Sequence, residues 1–90
     1  MLEIKFYHKS NCRKCDFVKR RLDKFGESHS GYKLTDIFVD VENGDKTLEY
    51  LKNQGYFSFP VVQLWDDADI KDSFCDLDIK GLNRVESQVS

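Results

Sequence analysis

Two cysteines three positions apart, Cys12 and Cys15, stand where a strand-like run gives way to a helix-like one. The residues before them, Leu2 to Tyr7, alternate apolar and polar side chains, the period of a half-buried strand. Those after them put Cys15, Val18, Leu22 and Phe25 on one helical face. The chain is therefore expected to turn from strand to helix at the cysteine pair. Asn11 is the expected cap of a helix from about Arg13 to Phe25, and Gly26 stands where such a helix stops.

Residues 27 to 32 read as loop. Leu34 to Val41 carries a solid Ile37-Phe38-Val39 centre, the pattern of a strand buried on both faces. Asn43-Gly44-Asp45 interrupts the chain. Asp45 then caps a helix with Leu48 and Leu51 on one side, ended by Gly55. Pro60 opens a strand over Val61 to Trp65, and Asp66-Asp67 makes a turn into a short strand near Ile70 to Phe74. A last helix from about Leu77 aligns Leu82, Val85 and Val89. The order βαβαββα predicts a four-stranded mixed sheet flanked by three helices. The first two strands are expected to be parallel through a right-handed crossover, and the last two to form a hairpin.

Length and composition bound this reading. Ninety residues suit one domain, residues 1–90. Apolar residues make up 40% and charged residues 33%, a globular mix, and the net charge of −2 speaks against a nucleic-acid partner. No apolar run approaches a membrane span, and the start of the chain lacks the pattern of a signal peptide. The expected setting is the cytoplasm, with a monomer as the default state. Three cysteines are too few for a disulfide scaffold, and a close pair in a reducing compartment points to redox chemistry or metal binding.

The pair's position separates the two thiols. Cys12, at the helix N-terminus, faces free backbone N–H groups and the positive end of the dipole, with Lys9, Arg13 and Lys14 nearby. Such surroundings lower a thiol pKa from about 8.5 toward neutrality. Cys15, one turn in and on the apolar stripe, is expected to keep its proton longer. Cys12 thus reads as the attacking nucleophile and Cys15 as the resolving thiol that closes a Cys12–Cys15 disulfide. Two plainer readings compete. Both could be ordinary helix residues, or they could be half a zinc site completed from His8, His29 and Cys75. No second close ligand pair exists to support zinc, so no metal is expected.

The other candidates are more equivocal. Pro60, the only proline, reads from base rates as a trans residue starting a strand. Tyr56, Phe57 and Phe59 are either core or a docking patch for a protein partner. Lys19, Arg20, Arg21 and Lys24 read as the solvated face of the first helix, able with Lys9, Arg13 and Lys14 to steer an acidic partner. Cys75, placed in the turn before the last helix, reads as a passive small residue. His8 reads as an exposed loop residue, and His29 carries no signal.

Together these segments resemble the glutaredoxins, and more closely the NrdH-redoxin subgroup, over essentially the whole chain. Phe6-Tyr7-His8-Lys9-Ser10-Asn11-Cys12-Arg13-Lys14-Cys15 is similar to the family's strand, lysine and C-x-x-C. Gly55 to Val62 matches the G-Y-x-x-x-P-V-V pattern, and Asp72 to Ile79 falls where the subgroup carries W-S-G-F-R-P-D-x-I. The resemblance implies a thioredoxin fold and a cis bond before Pro60. It also implies thiol–disulfide exchange through Cys12 and Cys15, with no bound cofactor. Around them it implies a partner-binding surface of Lys9, Arg13, Lys14, Tyr56, Phe57, Phe59, Pro60, Ser73 and Phe74. Electrons would come from NADPH through thioredoxin reductase and pass to class Ib ribonucleotide reductase.

The chain departs from the pattern before its last helix. It has no Gly-Gly there to let a backbone approach glutathione, and Cys75 and Asp76 replace an arginine and a proline. Two other functions therefore stand beside the first: a glutathione-dependent glutaredoxin, and a non-catalytic thioredoxin-fold binding module that docks through its aromatic loop.

Overall fold

The computed structural model describes residues 1–90. Seven elements follow the expected order: β1 (Leu2–His8), α1 (Arg13–Gly26), β2 (Tyr32–Phe38), α2 (Lys46–Asn53), β3 (Val61–Asp66), β4 (Asp69–Cys75) and α3 (Ile79–Val89). The sheet order is β2-β1-β3-β4. β1 runs parallel to β2 and antiparallel to β3, which is antiparallel to β4.

The alternation of each strand sorts its side chains onto two faces. From β1 and β3, Ile4, Phe6, Val62 and Leu64 enter the larger core with Cys15, Val18 and Leu22 of α1 and Leu82, Val85 and Val89 of α3. Tyr7 and Val61 turn the other way, to a smaller core with Val39 and Leu51 of α2. Two helices thus cover one face and one covers the other. Val18 and Leu22 are essentially unexposed, and burying such a side chain contributes roughly 1.5–3 kcal/mol. The Lys19–Asp23 ion pair on the outer side of α1 spans 2.9 Å, and such i,i+4 pairs give about 0.3–0.5 kcal/mol. Packing, not surface charge, therefore fixes α1 against the sheet.

Caps set the helix starts. Asp45 Oδ1 accepts the Leu48 N–H at 2.7 Å, and Asp78 Oδ1 accepts the Gly81 N–H at 2.9 Å. Gly55 follows α2 with φ +90°, the left-handed conformation that glycine supplies without strain.

Three expectations need correction. The strand holding Ile37 and Phe38 is not buried on both faces. It is β2, at the sheet edge, where Phe38 is 55% exposed and Val39 lies beyond the strand end. Cys75 is the last residue of β4 and pairs with Val61, rather than lying in a turn. His8 ends β1 rather than sitting in a loop. Its Nε2 pairs with Asp36 Oδ1 of the neighbouring strand, and its ring stacks on Phe6.

Candidate dithiol site

Asn11, not a helix cap as expected, takes φ +53°, a left-handed conformation that asparagine tolerates better than most residues. It turns the chain out of β1 and hands the cap to Cys12. Cys12 is extended (φ −126°, ψ 98°) and its Sγ accepts the Cys15 N–H at 3.2 Å. Its carbonyl accepts the Asp16 N–H at 3.1 Å. The first turn of α1 therefore aims the Cys15 N–H at this sulfur, which sits at the positive end of the helix dipole.

Cys12 and Cys15 form a disulfide with their Cα atoms 5.2 Å apart. Cys12 is half-buried and Cys15 is only 3% exposed, packed among Val18 and the sheet residues of the larger core. One sulfur is reachable from solvent and the other is shielded behind it.

A groove of about 420 Å³ opens at Cys12. Of the expected partner-binding residues, Lys9, Arg13, Lys14, Phe57 and Phe59 line it. Phe57 stands 77% exposed, and Lys9 Nζ lies 5.7 Å from the centre of the Phe59 ring. The Phe59–Pro60 bond is cis. The main chain of Phe59 forms none of the turn and loop hydrogen bonds, leaving its N–H and C=O unpaired within the chain.

The other expected residues are not brought to the groove. Tyr56 packs against the smaller core, Pro60 is buried, Phe74 belongs to the larger core, and Ser73 sits in β4 opposite Gln63. The aromatic loop is thus split, with Phe57 and Phe59 at the groove and Tyr56 turned inward.

Sequence reasoning missed Asn11, Ser58 and above all Asp76, which also line the groove. Asp76 follows β4 with φ +66°, and its N–H donates to the Pro60 carbonyl at 2.9 Å. Its Oδ1 accepts from Lys14 Nζ at 2.7 Å and from the Leu77 N–H at 2.8 Å. The Lys14 ammonium holds this carboxyl below the usual carboxylate range, helped by the Leu77 N–H. The available signal was the replacement itself, an acid standing where the resembled pattern has a proline.

The remaining candidates are engaged elsewhere. Cys75 packs against the smaller core, on the sheet face opposite the disulfide. His29 stacks on Phe25 at 3.9 Å. No three His, Cys, Asp or Glu side chains come together as a metal site. A larger groove of about 690 Å³ runs beside Phe17, Arg21 and Glu86 but contains neither paired cysteine. No helix is long and apolar enough to cross a membrane.

No protein-family model matches the chain, and no curated protein matches it significantly in sequence. Solved structures do match. Thioredoxin f2 of Chlamydomonas reinhardtii superposes with a TM-score of 0.74 at 13% identity, covering 97% of this chain and 77% of that one. The thioredoxin of Fasciola hepatica gives 0.73 at 12% identity, covering 99% and 81%. A thioredoxin f2 in complex with ferredoxin:thioredoxin reductase gives 0.74 at 11% identity, covering 99% and 78%. With a four-stranded mixed sheet, three helices and a cysteine pair capping the first of them, the chain has the thioredoxin fold.

Proposed function

We propose that the chain is a dithiol–disulfide oxidoreductase working through Cys12 and Cys15. The observation that carries this is their asymmetry: a groove-lining sulfur at a helix N-terminus with a buried sulfur bonded behind it. In the reduced protein the Cys12 thiolate attacks a substrate disulfide. A Cys12–substrate bond forms, and the substrate S–S bond breaks to release one thiolate, which takes up a proton. Cys15, losing its proton, then attacks Cys12 Sγ and expels the second substrate thiol. Two electrons pass to the substrate, and the protein is left with the Cys12–Cys15 disulfide.

Within that class we favour an NrdH-redoxin type of electron donor, in the cytoplasm. Such a donor is reduced by NADPH through thioredoxin reductase and serves class Ib ribonucleotide reductase. The G-Y-x-x-x-P-V-V segment supports this, as does the lack of a Gly-Gly before the last helix for a glutathione backbone to approach. A neighbouring thioredoxin is captured with a reductase, which supports a protein reductant. The unpaired cations Lys9 and Arg13 in the groove favour glutathione as the second reading.

NADPH consumption with a disulfide substrate separates them. Turnover is expected with thioredoxin reductase. Turnover with only glutathione and glutathione reductase would make the protein a glutaredoxin, and reactivity with neither would favour the binding module.

A further inference from the structure

Four charged side chains face the groove at Cys12: Lys9, Arg13, Lys14 and Asp76. Lys14 alone among the three cations has an ion-pair partner, and that partner is Asp76. Both groups are about half exposed, so this pair lies at the mouth rather than in the core. Asp76 is nevertheless held from two sides. Its N–H is fixed to the Pro60 carbonyl, and its carboxylate to Lys14 and the Leu77 N–H. It therefore ties the segment between the cysteines to the loop on the other side of the groove, and it keeps a negative charge on that wall.

We propose that Asp76 sets the charge class of the disulfide accepted at Cys12. By occupying Lys14 and presenting a carboxylate to the groove, it disfavours disulfides that carry carboxylates beside the scissile bond. It favours those carrying neutral or cationic groups there. This rests on the thiol–disulfide reading above and names its substrate class. The exchange itself is unchanged: Cys12 displaces one substrate thiol, Cys15 displaces the other, and two electrons are transferred.

The test uses the full chain, pre-reduced with dithiothreitol and freed of it, in single-turnover reactions. Three small disulfides differ in the charge of the terminal group: dithiodipropionate (anionic), cystamine (cationic) and hydroxyethyl disulfide (neutral). Rates for the first two are divided by the rate for the third, measured on the same variant, so that a general loss of folding cancels. Asparagine tolerates the positive φ and can still accept the Leu77 N–H, so Asp76→Asn removes the charge and spares the backbone. It is expected to raise the anionic-to-cationic ratio about threefold to tenfold, the effect of one charge several ångströms away in a wet groove. Lys14→Met is expected to lower the ratio. The double variant Lys14→Met, Asp76→Asn is expected to return near the starting value, and high salt to compress every difference. An unchanged ratio in Asp76→Asn with robust exchange overturns the proposal alone. Absence of exchange with all three disulfides in the unaltered protein overturns the underlying reading and this proposal with it.

Discussion

Replacing Gly81 by alanine sets two well-characterised effects against each other. Gly81 lies in the first turn of α3, and alanine there gains up to about 1 kcal/mol of helix propensity. A β-carbon on Gly81, however, would meet Phe74 Cγ at 2.7 Å, Phe74 Cδ1 at 2.8 Å and Asp78 Oδ2 at 2.9 Å. Comfortable carbon contacts begin near 3.5 Å. Phe74 is 6% exposed within the larger core, so its ring cannot swing into solvent. Overpacking of this kind costs roughly 1–3 kcal/mol. Pushing Asp78 away also weakens its cap on the Gly81 N–H, a further loss of about 0.5–1 kcal/mol. With the full propensity gain subtracted, the balance is a destabilisation of roughly 0.5–3 kcal/mol, or a fall in Tm of about 2–24 °C for a domain of this size. Thermal unfolding followed by circular dichroism reads it directly. Phe74→Leu in the same background is expected to recover part of the loss, as coupling between two touching residues. A Gly81→Ala protein as stable as the original would refute the packing argument.

Three further outcomes follow from the same contacts. Gln63 is unexposed and takes hydrogen bonds from Tyr7 at 2.8 Å and Trp65 at 3.0 Å while donating to Tyr50 at 3.1 Å. Gln63→Leu strands these partners and is expected to cost roughly 2–4 kcal/mol in urea denaturation; a loss under 0.5 kcal/mol would show the network to be dispensable. Arg84, with the Ser73 N–H and Gln88, holds the Asp72 carboxyl below its ordinary range, mainly through its hydrogen bond. That stabilisation is full above the unfolded carboxylate pKa of about 3.9 and is lost as pH falls through the lower folded value. The stability of Arg84→Met should thus fall less steeply below pH 4, and an unaltered acid slope would contradict the assignment. Finally, Cys15→Ser is expected to accumulate a mixed disulfide between Cys12 and a substrate thiol, seen by mass spectrometry under non-reducing conditions. Clean turnover without that adduct would remove Cys15 from the resolving role.

Local periodicity made most of the architecture legible before any coordinates. The alternation of Leu2, Ile4 and Phe6 and the Cys15, Val18, Leu22 stripe survive as the faces of β1 and α1 that meet in the larger core, although β1, a central strand, also buries Tyr7 on its other face. The apolar Ile37-Phe38-Val39 run misled because a short run does not say whether a strand is central or at an edge. That depends on the sheet order β2-β1-β3-β4, which leaves β2 with one neighbour. Asn11 is the better cap by residue preference, yet its left-handed conformation passes the role to a cysteine sulfur. At the site, the pairing of Cys12 with Cys15 at the start of α1 could be read directly because it is local in sequence. The Lys14–Asp76 pair could not, since it joins positions 62 residues apart, and neither could the inward turn of Tyr56 beside the outward Phe57.

The central claim is that position alone makes Cys12 the reactive thiol and Cys15 the shielded one. Alkylating the reduced protein with iodoacetamide across a pH series, and mapping each cysteine by mass spectrometry, tests it most directly. Cys12 is expected to react well ahead of Cys15, with its midpoint below the free-cysteine value of about 8.5, because the α1 N–H groups and nearby cations favour the thiolate. Equal rates at the two positions, or a Cys12 midpoint at or above that value, would contradict the claim.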